Sequence, residues 1–233
     1  MTGDYRVSGR VRWQRALLRP LFRSIFRLIS RVEITGLEHV PAQGAYLIAI
    51  NHVSLFEAPL VCAFWPRPPE AMGAVELWHR PGQGQLARLY GGIPVHRGEL
   101  DRQLIETVLA VLASGYPLLI APEGSRSHRP GMQRAKPGVA YLISKAGVPV
   151  VPVGIVGSTD DFLARGLRFQ RPVITMHIGP ALKLAPVTGR GADRRETLQA
   201  NADLVMAHIA ALLPEEYRGV YQDHGYLESQ TAR

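Results

Sequence analysis

The sequence predicts an α/β fold: a single domain with a mixed, largely parallel sheet flanked by helices, preceded by an N-terminal amphipathic membrane-binding helical segment. Three observations predict it. Apolar runs of strand length alternate with stretches of helical periodicity, which is the order of βα units covered on both faces. The 233 residues are enough for one such domain, and 46% hydrophobic against 20% charged residues is a globular balance. The first 31 residues carry a row of arginines spaced four apart beside an apolar stripe.

In chain order, Val11 to Val32 reads as a helix, with Pro20 expected to kink or split it. Ala45–Ile50 is a strand candidate ending at Asn51-His52, and Ala71–Leu77 is a second. Leu104, Ile105, Val108, Leu109, Val111 and Leu112 give a helix from about Asp101 to Ala113, stopped by Gly115. Pro117–Ala121 is a buried strand leading into Pro122-Glu123-Gly124, and residues 138–146 are helical with Gly147 as the stop. Val148–Val156 and Val173–Ile178 are further strands, and Ala192–Leu213 is a long helix closed by Pro214. The expected division is an anchor over 1–34, the α/β domain over 35–217 and a polar tail over 218–233.

Charge is concentrated at the start. Arginines 6, 10, 12, 15, 19, 23, 27 and 31 face only Asp4, giving +7 in the first 31 residues and leaving +1 for the other 202. The basicity therefore calls for an anionic partner of that segment. No window has about 18 uninterrupted apolar residues, so a span is not expected, and arginines break the apolar run too often for a signal peptide. A helix lying on an anionic membrane surface fits, with Trp13, Arg15, Arg19, Phe22, Arg23, Phe26 and Arg27 as the contacting residues. The bland alternative is a helix packed on the domain with its arginines in water. No nucleic-acid module accompanies the basic run, so nucleic acid is not an expected partner. The single cysteine, Cys62, allows no internal disulfide and sits in an apolar stretch that suits a core residue. The expected location is the cytoplasmic face of the membrane, peripheral or monotopic.

Four short blocks carry the chemistry: Asn51–Glu57, Gly92–Arg97, Pro122–Ser127 and Val151–Val153. His52 closes one strand candidate and precedes an acid by five residues. In a continuous helix that spacing separates the two by about 140°, but a strand end, turn and helix start lets them meet. Two readings of Glu57 stand open. It either orients the His52 ring for proton abstraction or, in Ser54-Leu55-Phe56-Glu57, merely folds back as a capping box. Neutral imidazole, with a free pKa of ~6.5, suits a general base. Arg97 ends a glycine-rich turn and Arg126 follows another strand, and both offer a planar fork to phosphate. Glu123, with Gly124 and Ser125 beside it, would orient that arginine or meet acceptor hydroxyls, and Lys136 adds a cation near a helix start. The opposing reading of each is a solvated surface charge. No histidine, cysteine or acid cluster has metal-ligand spacing, so neither a catalytic metal nor a cofactor is expected.

These blocks, in this order, resemble the glycerophospholipid acyltransferase family, most closely the 1-acylglycerol-3-phosphate (lysophosphatidic acid) acyltransferases. The family's motifs are Asn-His, four residues and an acid; Gly-x-x-x-Val-x-Arg; Pro-Glu-Gly-Thr-Arg-Ser; and a Val-Pro-Val stretch. The resemblance implies one α/β domain behind an N-terminal helical membrane anchor. It implies an acyl donor carried on coenzyme A or acyl carrier protein, and a lysophospholipid acceptor, lysophosphatidic acid giving phosphatidic acid. It makes His52 the base and Glu57 its partner, and puts Arg97, Glu123, Gly124, Ser125, Arg126 and Lys136 around the acceptor phosphate and glycerol. Glu57 stands where most relatives carry aspartate, and Ser125 where they carry threonine. The rival readings are the same chemistry on another lysophospholipid or an aminolipid, and a non-catalytic anionic-lipid binding protein.

Overall fold

The computed structural model describes residues 4–96, 102–187 and 190–222. Its sheet has seven strands: β1 (Arg31–Thr35), β2 (Leu47–Ile50), β3 (Glu70–Ala74), β4 (Ile93–Val95), β5 (Leu118–Ile120), β6 (Val150–Val156) and β7 (Val173–Ile178). They lie in the order β1-β7-β6-β2-β5-β3-β4. Every neighbouring pair is parallel except β6 with β7. The sheet is thus mixed and mostly parallel, as expected. Each strand candidate enters it, although the Ala71–Leu77 candidate leaves β3 for a 3-10 turn at Val75–His79. The sequence patterns missed β1, an edge strand whose Arg31, Glu33 and Thr35 are exposed, and β4, three residues long with Pro94 inside.

Alternation along the central strands sorts two cores onto the two faces. Leu47 and Ala49 of β2 face α4 (Arg102–Ala113), α5 (Pro137–Ala146) and α7 (Gly191–Ala210). Ile48 and Ile50 face α2 (Glu57–Phe64), α6 (Phe162–Leu167) and Phe26 of α1 (Gly9–Ile29). A last short helix, α8 (Glu215–Arg218), leads into a 3-10 turn whose Tyr221 is buried and donates to Asp203 at 2.7 Å. The described part of the expected tail is therefore packed, and residues 223–233 lie outside the described residues. The sheet likewise begins at Arg31, inside the stretch expected to be anchor.

Helix α1 corrects the expected membrane contacts. It runs unbroken through the exposed Pro20, so the expected split is absent. The ~3 kcal/mol cost of an interior proline is offset by tertiary anchoring along its length. Arg15 is 4% exposed and grips Glu70 through both terminal nitrogens at 2.5 and 2.7 Å, with Nε donating to Tyr90 O at 2.8 Å. Arg19 donates to Cys62 O at 3.0 Å and also to Trp65 O, and Arg23 donates to Ala63 O at 2.7 Å. Those carbonyls end α2, where the helix dipole is negative and the last C=O groups lack partners. Phe26 is buried against Phe64 and Phe162, and Phe22 packs half-buried beside it. Arg15, Arg19, Arg23, Phe22 and Phe26 thus face the domain, while Trp13 and Arg27 are exposed. The outward face is apolar instead: Trp13, Leu17, Leu21, Ile25 and Leu28 are 66%, 52%, 53%, 39% and 71% exposed. Among the described residues no helix is long and apolar enough to cross a membrane.

Candidate active site

Three adjacent parallel strands, β5, β2 and β6, end on one edge of the sheet, and each delivers one element of the site there. Such an edge, beyond the carboxyl ends of parallel strands, is where open α/β sheets bind ligands. His52 follows β2, Glu123 follows β5 and Ser158 follows β6. Asn51 fixes the first of these loops. Its side chain donates to Ile155 O at 2.9 Å and accepts from Ile155 N at 2.7 Å, so an amide side chain extends the β2–β6 ladder by one rung.

His52 and Glu57 meet: Nδ1 lies 3.0 Å from Glu57 Oε2. Glu57 opens α2 and is fully buried, whereas His52 keeps 22% of its side chain exposed. Among the described residues no hydrogen bond engages His52 Nε2, and with 22% of the side chain exposed that nitrogen is left free to take a proton. The two readings of Glu57 turn out to be compatible. Its Oε1 folds back onto Ser54, accepting from Ser54 N at 2.8 Å and Ser54 Oγ at 3.3 Å, although α2 starts only at Glu57 with Phe56 as its N-cap, while Oε2 serves the imidazole. Ser158 Oγ also donates to Oε1, at 2.5 Å.

Glu123 takes a different place from the one expected. It is fully buried, and its two oxygens accept from His52 N and Gln133 N, each at 2.8 Å. Closed off in this way, it braces the His52 loop against the 124–136 loop and is closed to solvent. Burial pushes its carboxyl up to about 7, against the lowering pull of those two N–H donors. Two further backbone bonds join the loops, Ser127 N to His52 O and His128 N to Val53 O, both at 2.9 Å. Arg126, half-buried, precedes Ser127 on the loop that these bonds hold against the His52 loop. Gly124 sits at φ +67°, where a Cβ would press the Lys136 stem at 3.0 Å, so the turn needs glycine. Gly124 and Lys136 are exposed and Ser125 is half-buried on this loop. Arg97 lies outside the described residues. Strand β4, which ends two residues before it, runs parallel to β3 and so points to the same edge.

The sequence reading did not pick out Ser158, Asn51 as a brace, or the exposed His128–Asp160 pair at 3.1 Å. The strand-end rule applied to the fourth block was the available signal. Val151 and Val153 are buried core, and the chemistry-bearing residues come just after the strand, at Ser158–Asp160. Cys62 is buried, and burial pushes its thiol up to about 11, which removes it as a nucleophile. Among the described residues no group of His, Cys, Asp and Glu could hold a metal.

Residues 31–156, more than half of the chain, match the protein-family model described as Acyltransferase. The chain belongs to the acyltransferase family. Human 1-acyl-sn-glycerol-3-phosphate acyltransferase alpha is 28% identical to this acyltransferase over 163 residues, covering 68% of the chain and 57% of that protein. Lyso-ornithine lipid O-acyltransferase of Pseudomonas aeruginosa is 29% identical over 216 residues, covering 85% of the chain and 80% of that protein. An uncharacterized Mycobacterium tuberculosis protein is 28% identical over 208 residues, covering 81% of the chain and 56% of that protein. The chain thus spans little more than half the length of several curated relatives. The crystal structure of the 1-acyl-sn-glycerophosphate (LPA) acyltransferase PlsC from Thermotoga maritima shares the fold, with TM-score 0.59 at 20% identity over 84% of this chain and 79% of that one.

Proposed function

We propose that this chain is an O-acyltransferase that moves a fatty acyl group from an acyl thioester, acyl-coenzyme A or acyl carrier protein, to the free hydroxyl of lysophosphatidic acid, giving phosphatidic acid. The observation that carries the reading is the His52–Glu57 pair with its outer nitrogen open, on the loop that Ser127 ties to Arg126. The acceptor oxygen attacks the thioester carbonyl while its proton passes to His52 Nε2. The tetrahedral oxyanion collapses, the C–S bond breaks, and the imidazolium returns the proton to the departing sulfur. Glu57 holds the ring and favours the imidazolium as it forms. Arg126, Arg97 and Lys136 hold the acceptor phosphate, with Gly124 and Ser125 shaping the turn beneath it. No metal or cofactor takes part.

A second reading keeps the chemistry and changes the acceptor to an aminolipid. The Pseudomonas aeruginosa relative favours it, because that protein matches this chain over 85% of its length. Acyl transfer measured across lysophosphatidic acid, other lysophospholipids and lyso-ornithine lipid, with two donor chain lengths, decides between them. Preference for the phosphate monoester supports the first reading, and equal or better use of lyso-ornithine lipid replaces it. Absence of thiol release with every acceptor would leave a non-catalytic anionic-lipid binder.

The enzyme works at an anionic membrane on the cytoplasmic face, peripherally bound. Its contact is the outward apolar stripe of α1, with the exposed Arg12 and Arg27 at the flanks. Near the far end of α1, where Gly166 packs against Ile29, Leu167 and Phe169 are also exposed apolar residues, at 65% and 86%. Flotation with anionic liposomes tests this; a variant with Leu17, Leu21 and Leu28 all changed to serine should stay in the soluble fraction.

A further inference from the structure

We propose that Ser158 is a positioning residue for the base, acting through Glu57; the inference rests on the acyltransferase reading above. Glu57 carries one more rotatable side-chain bond than aspartate, so more of its carboxylate's position must be fixed from outside the side chain. Rotation about the last bond of a glutamate is soft and roughly two-fold, so staggering does not set the carboxylate plane. Hydrogen-bond donors must set it. Oε1 has three such donors: Ser54 N at 2.8 Å, Ser54 Oγ at 3.3 Å and Ser158 Oγ at 2.5 Å. The two from Ser54 belong to the same turn as Glu57 and move with it. Ser158 alone comes from elsewhere, 101 residues along the chain, at the end of β6.

That strand end is also where the other side of the pair is held. Asn51, next to His52, is locked to Ile155 by two bonds, three residues before Ser158. Both halves of the pair are thereby referenced to one rigid strand, His52 through its backbone and Glu57 through Ser158. Ser158 is fully buried, so it touches neither solvent nor substrate. Its hydroxyl occupies Oε1 and leaves Oε2 to face the imidazole. Loss of the hydroxyl frees the carboxylate to turn, and the imidazole loses a fixed partner rather than the partner itself.

The test is steady-state acyl transfer by Ser158→Ala and Ser158→Thr, with thermal melts as a check on folding. Ser158→Ala should lower kcat by about ten- to a hundredfold, less than loss of the base costs. KM for donor and acceptor should stay within twofold, and Ser158→Thr, which keeps the hydroxyl, should restore most of kcat. If Ser158→Ala does not fold, Ser158→Cys, of similar volume with a weaker donor, should show an intermediate kcat and unchanged KM. Turnover of Ser158→Ala within twofold of wild type overturns the proposal. So does an equal loss in Ser158→Thr, or a change confined to KM. His52→Ala assayed alongside separates the two failures: if it is inactive while Ser158→Ala is not, only the role of Ser158 falls.

Discussion

Among the described residues, two of the three fully buried glutamates each face a basic side chain, yet they do opposite things. Glu70, on β3, meets Arg15 at 2.5 and 2.7 Å, and its Oε2 also accepts from Tyr5 Oη at 2.8 Å. Arg15 also donates its Nε–H to Tyr90 O and is 4% exposed. Each nitrogen of the guanidinium and each oxygen of the carboxylate has a partner, so the pair is a closed clamp between α1 and the sheet. Glu57 meets His52 at 3.0 Å, but the histidine keeps a second nitrogen open and 22% of its side chain exposed. Burial of a charged pair does not separate structure from chemistry. What separates them is whether one partner has a valence left that solvent or substrate can reach.

The two pairs should fail differently, and the largest effect belongs to the open one. His52→Ala should lower kcat by about 10²–10⁴ while the melting temperature stays within a few degrees of wild type. Wild-type turnover in the purified, folded variant would falsify the assignment of the base. Breaking the clamp should do the reverse. Arg15→Ala leaves the Glu70 charge buried and alone, at a cost of about 3–5 kcal/mol measured by urea unfolding. The Arg15→Met, Glu70→Leu double variant should recover most of that loss, because a buried pair replaced as a unit costs little.

A third carboxylate sharpens the comparison through pH. Glu123 holds its proton to about 7 when folded, against a reference near 4.5. The folded state therefore binds more protons than the unfolded one between those values. The stability this group contributes is fully present below the lower value and is lost as pH rises through the upper one. At about 1.4 kcal/mol per unit the total is roughly 3 kcal/mol. Urea unfolding from pH 5 to 8 should show wild-type stability falling, and Glu123→Gln should be flatter over that range. The smallest effect belongs to the outer face of α1. Trp13→Ser should weaken liposome binding by roughly 1–3 kcal/mol without altering the melting temperature or turnover on detergent-solubilised acceptor.

The sheet was largely legible because its central strands are uninterrupted apolar runs, Leu47–Ile50 and Val150–Val156, that nothing but burial on both faces explains. The His52–Glu57 meeting was legible because a strand end followed by a helix start leaves few other arrangements. The direction in which α1 faces was not. A helical wheel shows an arginine row and an apolar row, but not which of them turns inward. The acceptors that draw the arginines in are Glu70 and the last carbonyls of α2, remote in sequence and assembled only by folding. Glu123 was misjudged for the same reason. An acid on a post-strand turn looks available until the N–H groups of His52 and Gln133 are seen to close over it. The polar edge strand β1 escaped because Glu33 and its exposed neighbours dilute the pattern that marks a strand.

The inward turn of the α1 arginines sets how this protein can be handled. Removal of residues 1–30, a natural way to make a lipid enzyme behave without detergent, would here pull Phe26 out from between Phe64 and Phe162 and strand Glu70 without its cation. The apolar stripe proposed to meet lipid and the arginine face that holds the wall of the domain are opposite sides of one rod. Solubility has to be engineered on its outer surface, residue by residue, because the rod itself is not detachable.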